Sequence, residues 1–121
     1  MSDKTSVRIG ISEEIPKESI FQSIKKRNGT VVAFDKKKIT NAIYTAARAI
    51  GGDDRELAEK LANEVILFLY TLKGNRVPEI EEVQDAVEKI LIESGHARTA
   101  KAYILYRKQR EILRKKKLFS K

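Results

Sequence analysis

Apolar positions recur with a helical period over most of this chain. From Lys38 onward, Ile39, Ile43, Ala46/Ala47 and Ile50 fall at three- and four-residue intervals, which puts them on one face of a helix, and Gly51-Gly52 stops it. Asp53 or Asp54 can cap a second helix, whose stripe is Leu57, Leu61, Val65, Phe68 and Leu72 and which ends around Lys73-Gly74. Pro78 suits a helix start, and a third helix presents Ile80, Val83, Val87 and Ile90/Leu91 before Gly95. A fourth runs from Ala97 to about Lys116, with Ala100, Tyr103 and Ile104 leading toward Ile112 and Leu113. Each helix has one apolar face and the connections are short, which favours antiparallel neighbours around a shared core.

Upstream of Lys38 the pattern changes. Ser19–Arg27 and Thr30–Phe34 are β-capable runs flanking Asn28-Gly29. Such a pair predicts a hairpin, because both residues tolerate the positive φ of a type I′ turn. Asp35 then stands as N-cap of the first helix. A lone hairpin is only marginally stable, so this one must cover an end or side of the bundle. A short extended piece at Asn75–Val77 can add a strand, and Val7–Ile11 can form another in an otherwise tail-like first twenty residues. The predicted fold is α+β: a four-helix bundle capped by a small β-hairpin or three-stranded sheet. Residues 1–20 read as an N-terminal tail, 21–114 as the domain, and 115–121 as a basic C-terminal tail.

Composition narrows the partner. The 121 residues suit a single domain, and 25 Lys and Arg against 17 Asp and Glu leave a net charge of +8. That charge is concentrated. Residues 25–38 hold six basic groups and one acidic, residues 96–121 hold ten and one, and residues 39–95 are net acidic. A polyanion is implied: a nucleotide, a nucleic acid or an acidic membrane surface. The absence of cysteine excludes disulfides, thiol nucleophiles and thiolate-ligated zinc, and fits a reducing compartment. The longest apolar run, Val65–Tyr70, falls far short of the roughly 20 residues that span a bilayer. With no apolar leader at the N-terminus, the expectation is a cytoplasmic protein with no membrane partner.

Catalytic candidates are weak. Neither GxxxxGK[ST] nor GxGxxG occurs. The single histidine, His96, beside Gly95 at a helix start, reads as exposed or capping. Glu79, Glu81, Glu82 and Asp85 can be drawn as a carboxylate pair or metal site, but acidic residues in the first turns of a helix are favoured by its dipole. No nucleophile–base pair assembles, so neither catalysis nor a side-chain metal site is expected. The informative stretch is Ile24-Lys25-Lys26-Arg27-Asn28-Gly29 followed by Phe34-Asp35-Lys36-Lys37-Lys38-Ile39. Basic side chains flank a tight turn, and more follow in the first turn of a helix, where free N–H groups and the dipole favour an anion. A solvated charged turn is the alternative, and strict strand alternation would send Lys26 and Arg27 to opposite faces.

The segments IKKRNG and FDKKKI, the apolar helix after them and the closing AYILYRKQR resemble an ATP-cone domain. This is the nucleotide-sensing module of many ribonucleotide reductases and of the bacterial repressor of their genes, and the resemblance runs from about Ile24 to about Arg114. It implies a four-helix bundle capped by a small sheet, binding ATP or dATP with magnesium as a regulatory ligand and without hydrolysis. It also implies roles for particular residues. Lys26, Arg27 and Lys38 would meet the phosphates and Gly29 would allow the turn. Ile24 and Val77 would border base and sugar, with Asp35 and Asn41 as polar contacts nearby. Tyr103 and Tyr106, with Arg107 or Arg110, would line the site from the last helix. Many members carry a carboxylate where this chain has Val32, which bears on the choice between ATP and dATP. The chain carries no reductase catalytic domain and no zinc ribbon, so it reads as a free-standing cone or a fragment, acting as a homo-oligomer or on a protein partner in trans. The second reading is a basic nucleic-acid-binding regulator that uses residues 25–38 and 96–121 as one patch.

Overall fold

Among residues 20–119, which the computed structural model describes, four helices form where the local chemistry starts and stops them. They are α1 (Lys36–Ala49), α2 (Arg55–Lys73), α3 (Ile80–Glu93) and α4 (Ala97–Phe119). Asp35 caps α1 by accepting from the Lys37 amide at 3.0 Å, and Asp54 caps α2 by accepting from Leu57 N at 3.0 Å. At the start of α3 the Glu79 amide donates to Glu82 Oε1 at 2.9 Å, which satisfies an N–H that the helix itself leaves unpaired. Gly51, at φ 95°, takes the chain out of α1 through a backbone region hostile to other residues.

The helices close into a ring. α1 packs on α2 and α4, and α3 packs on the same two, with short connections between consecutive helices. Ile43, Val65, Ile66, Leu69, Val87 and Leu91 form the centre, each no more than 1% exposed. The α1 and α3 stripes lie where their period puts them, with Ile39, Ile43 and Ala46, and Val83, Val87 and Leu91, buried.

Two faces differ from expectation. α2 buries Ala58, Ala62, Ile66 and Leu69 beside Leu61 and Val65, while Leu72 stays exposed. Serving two neighbours turns its inner face away from the simple stripe. In α4 the core face is Thr99, Ala100 and Tyr103, continued by half-buried Arg107, whereas Ile104, Ile112 and Leu113 are exposed. This helix continues to Phe119, past the Lys116 expected as its end.

The hairpin consists of β1 (Ser23–Lys25) and β2 (Val31–Ala33), antiparallel, with Ile24 opposite Val32. Both strands are shorter than the runs that predicted them. Phe21, 4% exposed, anchors them in the core, with its ring 5.6 Å from Phe34 and 6.4 Å from Tyr70. The third strand is reduced to one parallel bridge, Lys25 to Glu79, with Lys25 N donating to Pro78 O at 2.9 Å. It does not form at Asn75–Val77, because Arg76 N is used in a turn by Lys73 O, Pro78 has no N–H, and α3 begins at Ile80. The strand expected at Val7–Ile11 and the tail around it lie outside the described residues.

Removing a buried methylene cluster from this ring should cost far more than removing an exposed one. Leu91→Ala is expected to lower unfolding free energy by roughly 2–5 kcal/mol, and Leu105→Ala by less than about 0.5 kcal/mol. Urea denaturation followed by circular dichroism measures both, as a shift of midpoint at constant slope.

Candidate functional site

The hairpin turn builds the site. Gly29 N donates to Lys26 O at 2.9 Å and Lys26 N to Thr30 O at 2.8 Å. Together with the Lys25–Val31 register this leaves Arg27, Asn28 and Gly29 as a three-residue loop, with Gly29 at φ 90°. The two-residue type I′ turn is therefore corrected. Asn-Gly does mark a hairpin here, but the Asn28 side chain accepts from the Thr30 amide at 2.9 Å, which holds the longer loop. The longer loop takes Arg27 out of the strand ladder, so strand alternation no longer separates it from Lys26. Both line one hollow of about 330 Å³ with Lys25 and Gly29, facing Glu79, Ile80 and Glu81 at the start of α3. The Lys25 and Lys26 ammonium groups make no ion pair among the described residues.

Arg27 is engaged. Its Nε donates to Glu81 Oε2 at 2.8 Å and its Nη2 to Gln84 Oε1 at 3.0 Å. The other oxygen of Glu81 accepts from Arg107 Nη2 of α4 at 2.6 Å, while Arg107 Nη1 reaches Glu88 at 2.6 Å and Asp85 at 3.0 Å. Glu81, Asp85 and Glu88 share one face of α3, so one carboxylate ties the hairpin turn to α4. A second cavity, of about 680 Å³, adjoins the first across Arg27 and Glu81 and is lined by Arg107, Arg114, Lys115 and Lys117. The Arg107 hydrogen bond holds the Glu81 carboxyl below its ordinary 4.5 against the opposing effect of burial, and the Arg27 charge adds to this. Lys73 does the same for Glu82. Burial works against the Arg107 charge, but the surrounding carboxylates outweigh it and raise that group. Burial also raises the Tyr103 phenol.

The other sequence candidates are dispersed. Ile24 is half-buried against the core beneath the hairpin, and Val77 is 44% exposed on the connection before α3. Asp35 is spent on its cap, and Asn41 accepts from Arg55 at 2.6 Å. Lys38 is exposed at the start of α1 and does not line the hollow that holds Lys26. Tyr103 is buried under α4, whereas Tyr106 is exposed in a separate groove between α1 and α4, with the Arg110 guanidinium 6.0 Å from its ring. Sequence reasoning weighed Glu81 as part of a carboxylate pair or metal site and preferred an acidic residue favoured by the helix dipole, and missed that it joins two arginines. The available signal was the i, i+4, i+7 spacing of Glu81, Asp85 and Glu88 opposite an arginine on a neighbouring helix.

Depressed carboxyl groups stabilise the fold above their unfolded pKa, and that contribution is lost as pH falls through the lower folded value. Thermal midpoints should stay level from about pH 7 to about pH 5.5 and fall below the ordinary carboxylate value of 4.5. In the Glu81→Gln/Glu82→Gln variant the fall attributable to these two groups should vanish, which a melting series against pH will measure.

A family model for the ATP cone domain matches residues 22–112. The chain is 42% identical over 103 residues to the vitamin B12-dependent ribonucleoside-diphosphate reductase of Thermoplasma acidophilum, an alignment covering 81% of this chain and 13% of the relative. It is 36% identical over 91 residues to the enzyme of the same name from Mycobacterium tuberculosis, covering 75% and 13%. It is also 36% identical over 94 residues to the anaerobic ribonucleoside-triphosphate reductase of Salmonella typhimurium, covering 78% and 13%. The aligned region thus spans about an eighth of these relatives. With bundle, hairpin and basic turn in the order that the match covers, the chain belongs to the ATP cone domain family.

Proposed function

We propose that this chain is a regulatory module that binds ATP or dATP with magnesium at the hairpin turn, does not hydrolyse it, and passes the binding state to a protein partner or a second copy. The observation that carries the reading is the hollow at the turn. Lys26 and Arg27 line it together, the Lys25 and Lys26 ammonium groups make no ion pair among the described residues, and Gly29, at φ 90°, gives the loop a backbone conformation that other residues rarely adopt. Its volume suits part of a nucleotide, since small-ligand sites run from about 300 to 1,000 Å³. Lys26 supplies a compact charge, and Arg27 a planar fork matched to phosphate oxygens. Lys38, which makes no ion pair among the described residues and lies outside the hollow, is the further phosphate ligand in this reading, for a triphosphate that extends past the turn toward the start of α1. Ile24 and Val77 border the base and sugar. The ribonucleotide reductase relatives make such an enzyme the proposed target of regulation.

Among the described residues that line the hollow none carries a hydroxyl, thiol or imidazole. Lysine and arginine neutralise charge, and the nearby carboxylates of Glu79 and Glu81 repel an anionic substrate unless a cation intervenes. Charge stabilisation without a positioned attacking group supports binding and not turnover.

Calorimetric titration at physiological salt is expected to give saturable binding of ATP and dATP with weaker binding of GTP. Lys26→Ala should weaken the adenine nucleotides by about tenfold or more, equal to about 1.4 kcal/mol. No inorganic phosphate should accumulate during prolonged incubation. Binding of duplex DNA instead, falling with salt at a slope of about −0.9 per phosphate contacted, would favour the nucleic-acid reading. A Lys26→Ala variant that binds ATP as tightly as the parent would reject the site.

A further inference from the structure

We infer that Glu81 competes with the ligand's phosphate for Arg27, setting the affinity of the hairpin site and reporting its occupancy to α4; this rests on the nucleotide reading above. The geometry is specific. A guanidinium binds an oxyanion best through two parallel N–H groups, and in Arg27 Nε is held by Glu81 at 2.8 Å and Nη2 by Gln84 at 3.0 Å. A phosphate that takes Arg27 through that edge must therefore displace the carboxylate. Glu81 is half exposed, its side chain being 52% accessible, so the pair it forms is weak enough to exchange.

What happens to the displaced carboxylate follows from its second partner. Glu81 Oε1 already lies 2.6 Å from Arg107 Nη2, so the group has a cation to retain when Arg27 leaves. In the arrangement described, three carboxylates of α3 are shared between two arginines. With Arg27 on the ligand, Glu81, Asp85 and Glu88 remain around Arg107 alone. Arg107 sits on α4 directly after the core residue Tyr103 by one turn. A change in its carboxylate set therefore acts where α4 is seated on the bundle. Glu81 is a positioning residue in this scheme, acting on the ligand through Arg27.

The competition has a sign that an ordinary structural role does not share. By calorimetry with magnesium and ATP, Glu81→Gln is expected to bind about two- to fivefold tighter than the parent, with the far-ultraviolet dichroism of the parent. In an Arg27→Gln background the same substitution should give no gain, because the competed group is gone. Unchanged or weaker binding by Glu81→Gln overturns the inference. A gain that persists in Arg27→Gln also overturns it, since Glu81 would then act through its field alone. Hydrogen exchange should register ATP at the α4 amides of 104–110 in the parent and not in Glu81→Gln, and an equal response in both overturns the transmission to α4. A parent chain that binds no ATP is a separate result, which rejects the nucleotide reading and this inference with it.

Discussion

A hairpin whose strands are three residues long cannot hold itself in water, and the position of every basic group at the turn depends on how it is fastened. Phe21 supplies the fastening, burying its ring against Phe34 and Tyr70 at the margin of the helical core. The bond from Lys25 N to Pro78 O adds a backbone tether at the far edge. These two attachments place the loop over the first turn of α3. The apolar core therefore determines the location of the charged site, even though none of its residues lines the hollow.

Electrostatics then operates on a small scale. The α3 face carries Glu81, Asp85 and Glu88, and arginines from the hairpin and from α4 divide them. Each pair is partly exposed and worth little alone. Their significance lies in being shared, because the single Glu81 carboxylate of α3 binds an arginine of the hairpin turn and an arginine of α4. Lys26 makes no ion pair in this network among the described residues.

Most of the fold was legible in the sequence because helical period and capping residues are local signals. Asp35, Asp54 and Gly51 mark ends by chemistry confined to a few neighbours. The α2 face was read less well, since which side turns inward depends on having two neighbours and not on the helix itself. The turn was read as a hairpin in the wrong register: Asn28-Gly29 fits two loop lengths, and the choice rests on one side-chain bond to Thr30. Lys26, Arg27 and Gly29 share a hollow that the local pattern pointed to. The Arg27–Glu81 contact joins residues 54 positions apart, and no periodicity encodes such a pairing. The resemblance implied Tyr106 at the site beside Arg107 or Arg110, yet one residue along a helix is about 100° around it, and Tyr106 lines another groove than Arg107.

The length of α4 has a consequence of its own. Its 23 residues exceed the 14 of α1 and of α3, and from Lys108 to Lys117 no residue is buried. This distal part is held by peptide propensity and by Glu111, which lies 3.8 Å from Lys108 and 3.4 Å from Lys115. Its stability belongs to the segment and not to the bundle. It will fray from the tip as ionic strength screens those pairs, shortening the helix while the core remains intact.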